Sequence, residues 1–193
     1  GDGSLALFLK ERFGRPTFGL EADAGRPRLA DRLDGFYPMS IAAERPGRSF
    51  DLVVATEVLE HIPDDAAALR NMRAVCGKHL LVTVPSGPIR ATDRHMGHVR
   101  HYDLAGLEAK VRAAGFEVAE AFAWGFPFHS LYKAAQDVVP GAMISGFGSG
   151  RYGPPAKAFC AALTALFALN VRGAGCQLFL LARVPSGPKQ NPH

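Results

Sequence analysis

Two strings in the chain place chemistry-bearing side chains at useful spacing. In TEVLEHIP, Thr56 to Pro63, the residues Glu57, Glu60 and His61 lie three and four positions apart. One helical turn would gather these two carboxylates and the imidazole on one face. Such a set can hold a divalent cation, orient a ligand or cap the next helix. Further on, the polar loop from Thr92 to Tyr102 carries His95, His98 and His101, three of the seven histidines. An imidazole titrates near neutrality, so His61 or His98 could take the proton of a hydroxyl nucleophile. The opening residues Gly1, Asp2, Gly3 and Ser4 offer bare backbone amides ahead of an amphipathic segment, where a ligand can lie against a helix N-terminus. Glu21 follows Gly3 by 18 residues, the spacing at which open α/β folds bind ribose hydroxyls. Each feature has an ordinary reading beside the functional one: a turn, a solvated acid, exposed loop histidines.

Elements must bring these residues together. Leu5, Phe8, Leu9 and Phe13 stand at helical spacing and Gly14 stops the run, so a helix follows GDGS directly. RPTFGL reads as a short strand ended by Glu21, a weak helix is expected over Arg26–Arg32, and a short strand over Tyr37–Ile41. Phe50 to Val58 is a near-continuous apolar run, the pattern of a strand covered on both faces in the sheet centre. Pro63 and Asp64 open a helix with Leu69, Met72 and Cys76 on one face, and HLLVTVP follows as a strand. Asp103 caps a helix that buries Leu104, Leu107 and Val111 before Gly115, and Phe116–Ala123 alternates as a strand. The next segment, PFHSLYKAAQDVV, is expected to be helical, 141–153 a mobile glycine-rich loop, and Pro155–Asn170 a helix with Phe159, Leu163, Leu166 and Phe167 on one stripe. Cys176–Val184 is the last strand. Strands alternating with helices define an α/β, doubly wound, mainly parallel sheet, and in such sheets ligands bind past the carboxyl ends of the strands. Phe122, Trp124, Phe126 and Phe128 either cover a sheet end or wall a pocket.

Composition narrows the classes. A chain of 193 residues, 48% hydrophobic and 21% charged, closes one core, so one domain is expected over 1–185 with a frayed tail at 186–193. Lys and Arg number 22 against 18 Asp and Glu, a net charge of +4 without a basic run. A nucleic-acid partner is permitted by this balance, not indicated. Three cysteines without CxxC spacing suit a reducing compartment, and with no signal-peptide pattern the expectation is cytoplasmic. Phe159 to Leu169 is too short for a bilayer span, which needs about 20 residues.

The strings SFDLVVATEVLEHIPDDAAALRNMR, HLLVTVPSGP and GHVRHYDLAGLEAKVRAAGFEV, taken in order, resemble the class I S-adenosylmethionine-dependent methyltransferases of the type 11/12 group. The resemblance implies a Rossmann-like fold with an antiparallel last strand. It makes GDGS the tail of a glycine-rich motif, with the family's first strand absent from this chain. It assigns the cofactor, S-adenosylmethionine, to Gly1, Asp2 and Gly3 for the methionine part, Glu21 for the ribose, and Thr56 and Glu57 near the sulfonium. The acidic residue that relatives often place near the adenine has no counterpart here, where Met39 and Ser40 stand. One subset of the family carries Glu-x-x-Glu-His and a later histidine around a divalent cation. Glu57, Glu60, His61 and His98 match that pattern.

The function expected is methyl transfer to a small-molecule acceptor, with O-methylation as one option and a carbon or amine nucleophile left open. The rival is a degenerate, non-catalytic cofactor-binding or scaffold domain; a nicotinamide oxidoreductase fits GDGS and Glu21 but not TEVLEH. Residues 127–170 form a helical insertion whose apolar string FCAALTALFAL leaves contact with a membrane open. The sequence is silent on the acceptor and the oligomeric state.

Overall fold

The computed structural model describes residues 1–23, 25, 29–138 and 153–185. Helix α1 (Ser4–Phe13) starts behind Gly3, whose φ of 89° suits a residue without a side chain, and Asp2 Oδ1 accepts the Ser4 N–H at 2.9 Å. Strand β1 (Phe18–Leu20) pairs in parallel with β2 (Gly35–Tyr37). Between them only a 3-10 turn, Ala30–Arg32, stands where the helix over Arg26–Arg32 was expected; 26–28 lie outside the described residues. The short strand anticipated at Tyr37–Ile41 ends at Tyr37.

The second sheet begins with β3 (Phe50–Thr56) and continues through α2 (Asp65–Val75), β4 (Cys76–Pro85), α3 (Ala91–His95), α4 (Leu104–Ala113) and β5 (Glu117–Phe126). Helices α5 (Phe128–Val138) and α6 (Pro154–Phe167), then β6 (Val171–Arg172) and β7 (Gln177–Arg183), complete the described chain. Asp64 and Asp103 cap α2 and α4 by accepting the Ala67 and Gly106 N–H groups at 2.8 and 2.7 Å. The five strands run in the order β3-β4-β7-β5-β6. β3 and β4 are parallel, and β7 lies antiparallel between β4 and β5. This is a mixed α/β, Rossmann-like arrangement with an antiparallel last strand.

The centre of the sheet is β4 and β7, where Leu80, Val82, Val84, Leu178 and Leu180 are fully buried. The reading of Phe50 to Val58 as the central strand is thereby corrected. Among the described residues β3 bonds only to β4, and Leu52 is 49% exposed. Its apolar run serves a different contact: the Phe18 and Phe50 rings meet at 5.5 Å, with the Arg48 guanidinium 4.2 Å from the Phe18 ring, joining the two sheets side by side. Among the described residues no strand hydrogen-bonds one sheet to the other.

Two helices are less buried than their patterns imply. In α1 only Leu7 is buried while Leu5, Phe8 and Phe13 face solvent, and α6 buries no residue, with Phe159 and Leu166 exposed. Residues 141–152 of the glycine-rich loop and the tail 186–193 lie outside the described residues.

Candidate functional site

Thr56 ends β3 beside Thr83 of β4, and the chain then turns at Glu57 with a φ of +55°. That left-handed conformation costs a residue with a side chain about 1–2 kcal/mol, and strain of this kind persists where the surroundings hold it. Here they do. The Glu57 N–H donates to the Thr83 carbonyl at 3.0 Å, and Glu57 Oε1 accepts from the Thr83 hydroxyl at 3.1 Å and from the Gln177 side-chain amide.

The next residues form a 3-10 turn, Leu59–His61, pinned by the fully buried Leu59. Glu60 is driven inward with it and is 0% exposed, yet neither carboxylate oxygen has a hydrogen-bond partner. Burial, reinforced by the Glu57 carboxylate, pushes Glu60 up to about 8. A buried carboxyl without partners is costly unless a proton or a cation satisfies it.

The loop that supplies the later histidine is stitched onto this turn. The Val99 N–H donates to the Glu60 carbonyl at 2.8 Å, the Tyr102 hydroxyl to the Leu59 carbonyl at 3.2 Å, and the Arg100 guanidinium to the Ile62 and Pro63 carbonyls at 2.8 and 2.6 Å. His61 Nδ1 meets the carbonyl of Gly97 at 3.3 Å, where a φ of 86° turns the chain. These bonds bring the His61 and His98 rings edge to face at 4.7 Å. Burial and the His61 imidazole push His98 down to about 4, so it is neutral at physiological pH.

Ligand atoms of Glu60, His61 and His98 lie within 4.8 Å of one another, and so do those of Asp93, His98 and His101. Glu57 belongs to neither cluster; its carboxylate is engaged by Thr83 and Gln177 instead. Of the three loop histidines, His98 and His101 face inward, while His95 is exposed at the end of α3. Beside His101 a cavity of about 140 Å³ is lined by Ser86, Arg90, Asp93, Lys133 and Cys176.

A second group forms at the start of the chain. Glu21 Oε2 lies against the Gly1 nitrogen and Glu21 Oε1 accepts the Asp23 N–H at 3.1 Å. A Cβ at Gly3, directly ahead of α1, would stand 3.3 Å from the Leu29 side chain, so only glycine fits there without a shift. The structure thus brings Glu60 together with His61 and His98, while Glu21 meets the opening glycines through the terminal ammonium of Gly1.

Sequence reasoning passed over Thr83, Gln177, Asp93 and Lys133. Thr83 and Gln177 sit at strand ends, where open α/β sheets collect functional groups, and that position was their one readable signal.

Residues 1–121 match a family model described as a methyltransferase domain. The chain belongs to this family, and its fold is that of the class I S-adenosylmethionine-dependent methyltransferases. Among solved structures it is similar to the [4+2]-cyclase SpnF, with a TM-score of 0.61 and 21% identity over 97% of this chain and 73% of that one. It is also similar to Haemonchus contortus phosphoethanolamine N-methyltransferase 2 in complex with S-adenosylmethionine, with a TM-score of 0.59 and 15% identity over 96% of this chain. The chain spans 47% of that protein's length. Magnesium protoporphyrin IX methyltransferase from Synechocystis PCC 6803 with bound S-adenosylmethionine gives a TM-score of 0.56 and 15% identity, covering 96% of this chain and 66% of that one. No curated protein sequence matches the chain.

Proposed function

We propose that this chain transfers a methyl group from S-adenosylmethionine to a hydroxyl of a small-molecule acceptor. The carrying observation is the family match, which takes in both the Gly1–Gly3 and Glu21 group and the Glu60, His61 and His98 cluster. When bound, S-adenosylmethionine supplies a methyl on a sulfonium that leaves as a thioether without needing a proton. The protein's task is then alignment, for which positioning supplies about 7–11 kcal/mol. In this reading Gly1, Asp2 and Gly3 let the methionine portion approach the α1 N-terminus, Glu21 accepts from the ribose hydroxyls, and Thr56 and Glu57 line the space near the sulfonium. His61 or His98 takes the acceptor's hydroxyl proton.

A divalent cation fits the second cluster, because the partnerless carboxylate of Glu60 lies beside two imidazoles. Glu60, His61 and His98 would hold it; the imidazole lone pairs would then be committed to the cation, whose Lewis acidity at a coordinated hydroxyl would take the place of a histidine base. Glu57 would act from outside the ligand set, through its repulsion of Glu60.

Calorimetry of the full-length protein with S-adenosylmethionine and S-adenosylhomocysteine, with and without added Mg²⁺ or Zn²⁺, tests these assignments. Binding of both cofactor forms is expected. Binding of neither would favour the scaffold reading, and SpnF, described as a cyclase on this fold, shows that the architecture alone does not dictate methyl transfer.

We also propose that residues 127–170 contact an anionic membrane surface. Helix α6 buries nothing, Phe159, Leu166 and Leu169 are exposed on it or just past its end, and no Asp or Glu occurs after Asp137. An apolar helix that carries Lys157 and no acidic residue suits interfacial docking. No helix among the described residues is long and apolar enough to cross a membrane.

A further inference from the structure

His98 belongs to both candidate clusters, and a single ring cannot serve both with the same nitrogen. The hydrogen bonds decide which nitrogen is free. His101 Nδ1 lies 3.1 Å from the Gly87 carbonyl. A carbonyl only accepts, so His101 carries a proton on Nδ1, and as a neutral ring it presents a lone pair on Nε2. That lone pair lies 3.0 Å from His98 Nδ1. His98 must therefore donate from Nδ1, which leaves the lone pair on its Nε2. The same logic at His61, whose Nδ1 meets the Gly97 carbonyl at 3.3 Å, leaves the His61 lone pair on Nε2, 4.0 Å from Glu60 Oε1.

The other cluster is differently built. Asp93 Oδ2 accepts the Arg90 N–H at 3.0 Å, and Oδ1 meets the Lys133 ammonium at 3.4 Å. Its side chain and that of His101 are almost fully buried, and Asp93 Oδ2 lies 3.6 Å from His101 Nε2. A carboxylate already bonded to an amide and paired with an ammonium is poorly suited to a cation, whereas the Glu60 carboxylate accepts no hydrogen bond.

We infer that His101 is a positioning residue: held by the Gly87 carbonyl, its neutral ring fixes His98 with Nδ1 protonated and Nε2 free, directing a divalent cation to Glu60, His61 and His98 and not to Asp93, His98 and His101. The inference rests on the proposed cation site for its consequence, though not for the tautomer itself. Support of this kind orients metal-bound histidines generally, and its loss costs about 10- to 100-fold in metal affinity.

The test compares the parent full-length protein with His101→Phe, which keeps a ring but removes the acceptor, and His101→Gln, whose amide oxygen can still accept from His98. Nitrogen chemical shifts of the metal-free proteins read the His98 tautomer, and Co²⁺ titration followed by its visible spectrum reads affinity and geometry. Thermal melting confirms that each variant folds. The parent and His101→Gln should show His98 protonated on Nδ1. In His101→Phe that preference should be lost and Co²⁺ affinity should fall about 10- to 100-fold, with a changed spectrum. A parent His98 protonated on Nε2, or an unchanged tautomer in His101→Phe, overturns the inference whether or not Co²⁺ binds. Absence of Co²⁺ binding by the parent, with the tautomers as expected, would instead remove the cation site and leave the positioning intact.

Discussion

Glu60 is where the cation reading is most exposed to experiment. Its carboxylate is buried, lacks a partner and is pushed up to about 8 by burial and by Glu57. Glu60→Gln keeps the shape and removes the charge, and titration with Mn²⁺ or Zn²⁺ should show a loss in affinity of at least about 100-fold, beyond the range of outer-shell changes. His98→Ala belongs at the same scale. It should slow turnover while leaving S-adenosylmethionine affinity nearly unchanged, checked by steady-state kinetics beside calorimetry, because His98 packs with His61 and His101 and is assigned to the acceptor, not the cofactor. Residue types made this site legible: carboxylates and imidazoles at short spacing in TEVLEHIP, and histidines in GHVRHY. Spacing did not reveal which loop histidines fold inward. That is decided by contacts distant in sequence, such as the Val99 N–H on the Glu60 carbonyl and Arg100 on Ile62 and Pro63, which leave His95 outside. Nor could it show that Glu57 would be occupied by Gln177, 120 residues away in the chain.

The turn that holds Glu60 and the loop that holds His98 are joined through α2 and α4. Asp65 receives the Tyr102 hydroxyl at 2.8 Å and the Lys110 ammonium at 2.9 Å, with Arg100 Nη1 at 3.0 Å. Burial acts to raise the Asp65 pKa, but the bonds from Lys110 and Tyr102 and the Arg100 charge outweigh it and hold the carboxyl below its ordinary value. A lowered native pKa adds stability that is fully present above the unfolded value of about 3.9 and is lost as pH falls through the native one. Asp65→Asn should therefore cost about 1–3 kcal/mol at neutral pH, since Lys110 and Arg100 retain some solvent, and should flatten the acid limb of a denaturant-melt series. Helix α6 supports a separate expectation. Leu166→Asp should reduce co-sedimentation with vesicles containing phosphatidylserine and leave cofactor binding alone; parent protein that ignores such vesicles would remove the membrane proposal. Caps and turns were readable because Asp64, Asp103 and Gly115 act locally. Burial was not: the apolar spacing in α1 and α6 announces helices correctly, but exposure depends on what packs against them.

At the scale of the whole molecule, the α/β class followed from strands alternating with helices, while the order of the strands did not. Phe50 to Val58 has the composition of a central strand, yet among the described residues it pairs on one side only, with β4, and the centre of that sheet falls to β4 and β7. Pairing partners are set across the chain, and an apolar run records only that both faces meet something, here partly the Phe18 ring. The family assignment draws on the order of several strings together, which is why it survives the misplacement of one strand. Its central claim is that Gly1–Gly3 and Glu21, brought together ahead of α1 and after β1, receive the adenosyl cofactor. The most direct measurement is calorimetric titration of S-adenosylmethionine into the full-length protein and its Glu21→Ala variant. Loss of a carboxylate bonded to ribose hydroxyls removes about 1.5–3 kcal/mol, so affinity should fall about 10- to 100-fold. Equal affinity in the two proteins would contradict the placement of the cofactor.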